Sequence, residues 1–179
     1  MARDDTRMAR LADTLAFVAP EVEVLRFPAW DCLPYDRVSP NASIVSERIA
    51  TLARLTEAQS APRIVLTTVN ALVQRVPPQM VFAGAALDIE QGSVVEIGKL
   101  TLFLEANGYG RADTVMEPGE YAVRGGIVDL FPAGQAEPIR LDLFGDTVES
   151  LRRFDPTTQR STGPATALVL RPVSEVPLD

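Results

Sequence analysis

Arginine supplies most of the reactive chemistry available to this sequence. The chain has 179 residues, no histidine, one cysteine (Cys32) and one lysine (Lys99). Disulfides within the chain, structural zinc and histidine-based catalytic dyads are thereby removed together. No acidic cluster has the spacing of a calcium loop. What remains is the guanidinium group, planar and suited to bidentate pairing with carboxylates. Two arginines stand at strand positions: Arg111 in "YGRAD" and Arg124 in "YAVRGG". Tyr121 and Val123 alternate with Ala122 and Arg124, and Gly125-Gly126 then interrupts an apolar run that resumes at Ile127. Glycines inside a strand pattern suggest a bulge that aims Arg124 outward. A turn at Pro118-Gly119 would make the flanking segments a hairpin, with Arg111 and Arg124 at its open end on one face. Two roles fit such arginines: solvated residues of an exposed sheet face, or anchors of a protein interface.

The other candidates have plainer readings. The only Gly-Lys, Gly98-Lys99, is followed by Leu100, has Ser93 at the upstream glycine position and lies in a helical pattern, so no P-loop is present. Asp4 and Asp5 open a helix, where acids complement the dipole. Glu117 and Glu120 flank a turn. Cys32 has no neighbouring base to lower its pKa and reads as a packing residue. Trp30 and Tyr35 could stack on a base, but in a proline-rich loop they more simply pin the loop to the domain.

The elements that must position these residues fall into two groups. An amphipathic helix is expected over 4–18, a short strand in "EVEVLRF", and a loop through "FPAWDCLPYDRVSPN". A second helix, capped by Asn41 or Ser43, carries Val45, Ile49, Leu52 and Thr56 inward. "RIVLTT" reads as a strand buried on both faces. Thr68 can cap a short helix carrying Val69, Leu72, Val73 and Val76, which Pro77-Pro78 ends. The alternation of helix and strand argues for parallel strands covered by helices. After the double proline come short strands, one helix in "IGKLTLFLEANG", and strands joined by glycine turns. We therefore expect residues 1–77 to form a partial α/β layer and 78–179 a small α+β domain with a mostly antiparallel sheet. Two strands make a poor sheet, so the first part should expose apolar surface.

The net charge is −7 with a pI near 4.7. Affinity for phosphates calls for the opposite balance, which argues against strong nonspecific DNA binding. Charged residues at the start leave no apolar leader, and no run approaches the roughly 18–20 apolar residues of a membrane span. No membrane partner is expected, and the chain reads as cytoplasmic.

Four stretches, "FPAWDCLPYDRVSPNASIVSERIATLARL", "TTVNALVQRVPP", "VMEPGEYAVRGGIVDLFP" and "RLDLFGDTVESLRRFDPTTQRS", together resemble the N-terminal region of bacterial transcription-repair coupling factors. The likeness covers essentially the whole chain. That region is similar to part of the excision-repair protein UvrB: a degenerate P-loop-helicase-like layer interrupted by a small domain that binds UvrA. "MARDDTR" looks like the middle of the helicase-like part, which would explain too few strands. The resemblance implies a non-enzymatic interaction module that recruits UvrA to lesion-stalled RNA polymerase in nucleotide excision repair. It assigns ATP, magnesium, RNA polymerase and duplex DNA to the rest of the full-length translocase, and no cofactor, metal or catalytic residue to this chain. Carried over by position, the UvrA contacts are Arg111 and Arg124. A further UvrB arginine is replaced here by Ala122. The alternative is a fragment of an ATP-dependent DNA-processing enzyme of the UvrB type, whose arginines contact DNA.

Overall fold

A computed structural model describes residues 1–32, 39–59, 61–79 and 86–174. The first part is built from α1 (Asp5–Val18), β1 (Glu23–Phe27), α2 (Ala42–Thr56), β2 (Arg63–Thr67) and the single turn α3 (Val69–Leu72). Each helix is started by a side chain that accepts an orphan N–H: Asp4 from Arg7 (2.8 Å), Asn41 from Ser43 (2.9 Å), Thr68 from Ala71 (3.3 Å). β1 and β2 pair in parallel, Glu23 opposite Arg63 and Phe27 opposite Thr67. Alternation then divides the strands between two small cores. Val24, Ile64 and Leu66 meet the α1 stripe of Met8, Leu11, Ala12 and Leu15, while Phe27 and Ala29 meet Leu52 and Ala71.

Three expectations change here. β2 is not buried on both faces: Val65 is exposed, because α2 lies over β1 and leaves the outer strand open on that side. The helix begun at Thr68 ends at Leu72, short of Val73 and Val76; of its residues only Ala71 is buried, and Val69, Leu72, Val73 and Val76 are exposed. With Val65 they are among the exposed apolar side chains expected of a two-stranded layer. On α2, Ile49 is fully buried but Val45, Leu52 and Thr56 are only half-buried, and the largest buried side chain is Arg48. Its guanidinium stacks over Phe27 and Trp30, 4.2 and 5.1 Å from the ring centroids. It also donates to the Pro28 carbonyl (2.7 Å) and to Gln74 Oε1 (3.0 Å). The Trp30 N–H donates to the same Gln74 oxygen (3.0 Å), which pins the start of the proline-rich loop. Tyr35 lies outside the described residues.

The second part runs β3 (Leu87–Glu90), α4 (Ile97–Ala106), β4 (Gly110–Arg111), β5 (Glu120–Arg124), β6 (Ile127–Leu130), β7 (Ile139–Phe144), β8 (Thr147–Phe154), β9 (Ser161–Pro164) and β10 (Ala167–Leu170). Strands β4 to β9 lie side by side in chain order, antiparallel except for the β4–β5 pair, and β3 pairs antiparallel with β10. The mixed α/β composition with mostly antiparallel sheets is as read from the sequence. One sheet face, carrying Tyr121, Val128, Leu130, Leu141 and Leu151, packs under Leu100 and Leu104 of α4 and under Ile89, Leu168 and Leu170.

Gly125-Gly126 is not a bulge. The register Val123↔Val128 and Arg124↔Ile127 makes it the two-residue turn of the β5–β6 hairpin, with φ +61° at Gly125 alone, the pattern of a type II′ turn. Gly126 is required for a second reason: a Cβ there would lie 2.7 Å from the Leu143 carbonyl oxygen, and its own carbonyl accepts from Leu143 N–H (2.8 Å). Gly126→Ala should therefore push β7 from β6 and destabilise the domain by about 1–3 kcal/mol, measured by urea unfolding. An unchanged midpoint would show that the two hairpins have slack at this point.

The two parts touch through named contacts. Gly134 N–H donates to Ser46 Oγ (2.8 Å), and a Cβ at Gly134 would lie 2.6 Å from that of Ala50. Beside this contact, Arg63, Glu23, Arg54, Glu57 and Arg171 form a chain of alternating charge from β2 to the segment after β10. Hydrogen bonds from Arg54 and then Arg63 hold the Glu23 carboxyl below its ordinary range.

Candidate protein-interaction face

The side of the six-stranded sheet away from α4 carries its charge. Parity along the strands places Ala122 and Arg124 of β5, Ile127 and Asp129 of β6, and Arg140, Asp142 and Phe144 of β7 on this side. Val115, Ala122, Phe131 and Phe154 cover one end of it. At the centre, Asp129 is wholly buried. Arg140 grips it as a fork, Nε to Oδ1 at 2.6 Å and Nη2 to Oδ2 at 2.9 Å, and lies over the Phe154 ring at 4.8 Å. The hydrogen bond to Asp129 raises the Arg140 pKa further. Arg124 Nη2 contacts the same Oδ2 from the other side. The next row repeats the theme: Arg152 donates to Asp142 at 2.6 Å, and Ser150 Oγ at 2.5 Å.

Two expectations for Arg124 change. It is not simply solvated, and no bulge aims it. It is half-exposed, 48% of its side chain accessible, with its inner edge engaged by a buried carboxylate. Two guanidiniums against one carboxylate leave the triad with one unit of positive charge, and its accessible part is Arg124.

Arg111 and Arg124 do not share the open end of a hairpin. β4 runs parallel to β5, with Arg111 opposite Tyr121, because the chain from Ala112 to Gly119 is long enough to cross over before β5 begins. Arg111 is exposed on the Tyr121 side, and Arg124 lies three residues further along β5 on the other side. The structure does not bring the two predicted contacts together.

Asp129 and Arg140 were missed as site residues. The signal was an acid in an otherwise apolar strand, "IVDLF", followed by a strand with arginine at the matching parity, "IRLDLF". The remaining candidates hold local structure. Glu120 Oε2 accepts the N–H groups of Met116 and Glu117 at 2.7 and 3.0 Å, and Lys99 pairs with Glu96 at 2.8 Å in the first turn of α4. Among the described residues no three or more metal-ligating side chains cluster, and no helix is long and apolar enough to cross a membrane.

Residues 87–175, which begin at β3 and take in every strand of the charged sheet, match the UvrB interaction domain family. The strands of this sheet thus belong to an interaction domain of the UvrB type. Along nearly its whole length, the chain is similar to proteins named transcription-repair-coupling factor. It is 42% identical over 176 residues to that of Haemophilus influenzae, covering 98% of this chain, and 38% identical over 179 residues to that of Escherichia coli, covering all of it. The Bacillus subtilis protein is 32% identical over 171 residues, or 91% of this chain. The chain belongs to the transcription-repair coupling factor family and corresponds to the N-terminal, UvrB-like module. It spans about 15% of the length of the relatives it matches.

Proposed function

We propose that this chain is a non-catalytic protein-interaction module that recruits UvrA to lesion-stalled RNA polymerase in nucleotide excision repair. The observation that carries the reading is the half-exposed Arg124 of the Asp129 triad, presented by a domain of the UvrB interaction family. An arginine whose inner edge is already held loses little rotamer freedom when a partner carboxylate meets its outer edge. Arg111 supplies a second contact from the Tyr121 side of the same strand pair. Residues 1–77 act as a degenerate helicase-like layer that binds no ATP. RNA polymerase, duplex DNA, ATP and magnesium belong to other parts of the full-length translocase, and the setting is the cytoplasm. Residues 78–179 form the UvrA-binding unit.

The test is co-elution of the purified chain with purified UvrA on size exclusion, repeated at rising salt. A complex that forms at low salt and weakens as salt rises is expected, since rim ion pairs are screened. If the chain instead shifts duplex DNA and ignores UvrA, the UvrB-type enzyme-fragment reading replaces this one.

A further inference from the structure

β1 is an edge strand with one side unused. Among the described residues it pairs only with β2, and alternation decides which of its backbone groups that pairing consumes. Glu23 N–H donates to the Pro62 carbonyl (2.9 Å), so Glu23, Leu25 and Phe27 turn their polar groups toward β2. Val24 and Arg26 turn theirs away. The Arg26 carbonyl agrees with that parity, since it accepts from Thr51 Oγ1 of α2. Left over on the open side are the N–H and C=O of Val24 and the N–H of Arg26.

A cleft of about 870 Å³ runs along this edge, within the ~300–1,000 Å³ of ordinary ligand clefts. Its walls include Asp5 of α1, Glu47 of α2, and Gly134 and Arg171 of the second part. Most of its charges are already paired: Glu23 with Arg54, Arg171 with Glu57, while Asp31 accepts the Asn41 N–H. Arg26 is left facing two acids. Its Nε lies 3.1 Å from Glu47 Oε1 but is not aligned to donate, so a buried N–H has no acceptor. Burial pushes the Glu47 carboxyl above its ordinary range; Arg26 opposes the rise and Asp5 adds to it. The cleft thus lacks a cation beside Asp5 and Glu47, and an acceptor for Arg26 Nε.

We propose that the open edge of β1 is a strand-addition site for an extended segment of another protein that carries a lysine or arginine. Backbone hydrogen bonds to Val24 and Arg26 hold the segment, as in other peptides that extend a sheet. Its basic side chain meets Asp5 and Glu47, and one of its carbonyls accepts from Arg26 Nε. The site lies in the first part of the chain and is independent of the UvrA reading.

The probe is a capped pentapeptide of alternating threonine and valine with arginine at its centre, titrated into the nitrogen-15-labelled chain. Saturable shifts of the Val24 and Arg26 amide signals, with slowed hydrogen exchange at both, are expected. Exchanging the peptide's arginine for glutamate should weaken binding about tenfold, and Glu47→Gln in the chain about threefold with an unchanged melting temperature. The same peptide N-methylated at alternate residues should not saturate, because it cannot donate to the Val24 carbonyl. No saturation by the arginine peptide, or saturation without change at Val24 and Arg26, overturns the proposal. Equal binding of the N-methylated or the glutamate peptide overturns it as well. If the chain alone sediments as a dimer with both amides already protected, the occupant is a second copy and the proposal fails.

Discussion

Replacing Arg140 with alanine should lower the melting temperature by roughly 6–12 °C. Asp129 has no accessible surface and depends on Arg140 for two of its hydrogen bonds. Breaking a buried ion pair by removing one partner costs about 3–5 kcal/mol, because the other charge stays behind without compensation. Arg124 still contacts Oδ2, which places the expected loss near 3 kcal/mol. Phe154 also loses the guanidinium that lies over it. Arg140→Lys should recover only part of the loss, since an ammonium cannot reproduce the fork. Thermal unfolding followed by circular dichroism reads all three chains. A melting temperature within about 1 °C of wild type for Arg140→Ala would mean that water reaches Asp129 and that the triad is not a buried structural element.

Arg124→Ala should weaken binding to UvrA about 30-fold, the equivalent of about 2 kcal/mol for a charged interface anchor. Arg124→Glu should weaken it further, because a like charge then faces the partner's carboxylates. The stability cost of Arg124→Ala is expected to be at most about 1 kcal/mol: the side chain is half-exposed, its ion pair is screened, and Arg140 keeps both oxygens of Asp129 occupied. Arg111→Glu should also lower affinity, and its effect should add to that of Arg124→Ala because the two lie on opposite sides of the sheet. Calorimetric titration of each variant gives the affinities. Equal affinity for wild type and Arg124→Ala would place the recruitment surface elsewhere on the domain.

The contrast between Arg140 and Arg124 shows what could be read from the residues and what could not. The Thr68 cap was legible, and the second start was narrowed to Asn41 or Ser43, because a cap is a local arrangement of one side chain and two or three N–H groups; Asp4 was read as an acid at a helix start and proves to be its cap. The α4 helix, with Leu100 and Leu104 inward and a stop at Gly108, was legible from its period. Gly125-Gly126 was misread because a glycine pair marks a bulge and a two-residue hairpin turn alike. Only the cross-strand register separates them, and that depends on partners distant in sequence. The burial of Asp129 has the same origin: its two guanidiniums come from β5 and β7, and only the order β5-β6-β7 brings them together. Arg48 went unnoticed because its partners, Phe27, Trp30 and Gln74, lie on either side of α2 in the chain. Arg111 was legible as an exposed arginine, but its side of the sheet was not, since a parallel β4–β5 pair leaves no hairpin signal. The four stretches shared with the coupling factors carried the family assignment, and the position of the UvrB interaction domain follows the strands of the charged sheet.

The central claim is that the charged face binds a protein and not a nucleic acid. The most direct measurement titrates one labelled preparation of the chain with purified UvrA and, in parallel, with duplex DNA, for wild type and Arg124→Glu in the same low-salt buffer. Saturable binding to UvrA, lost in the variant and falling with salt, together with no saturation by DNA over the same range, is the predicted result. Binding to DNA that disappears in Arg124→Glu, with no response to UvrA from either chain, would contradict the account.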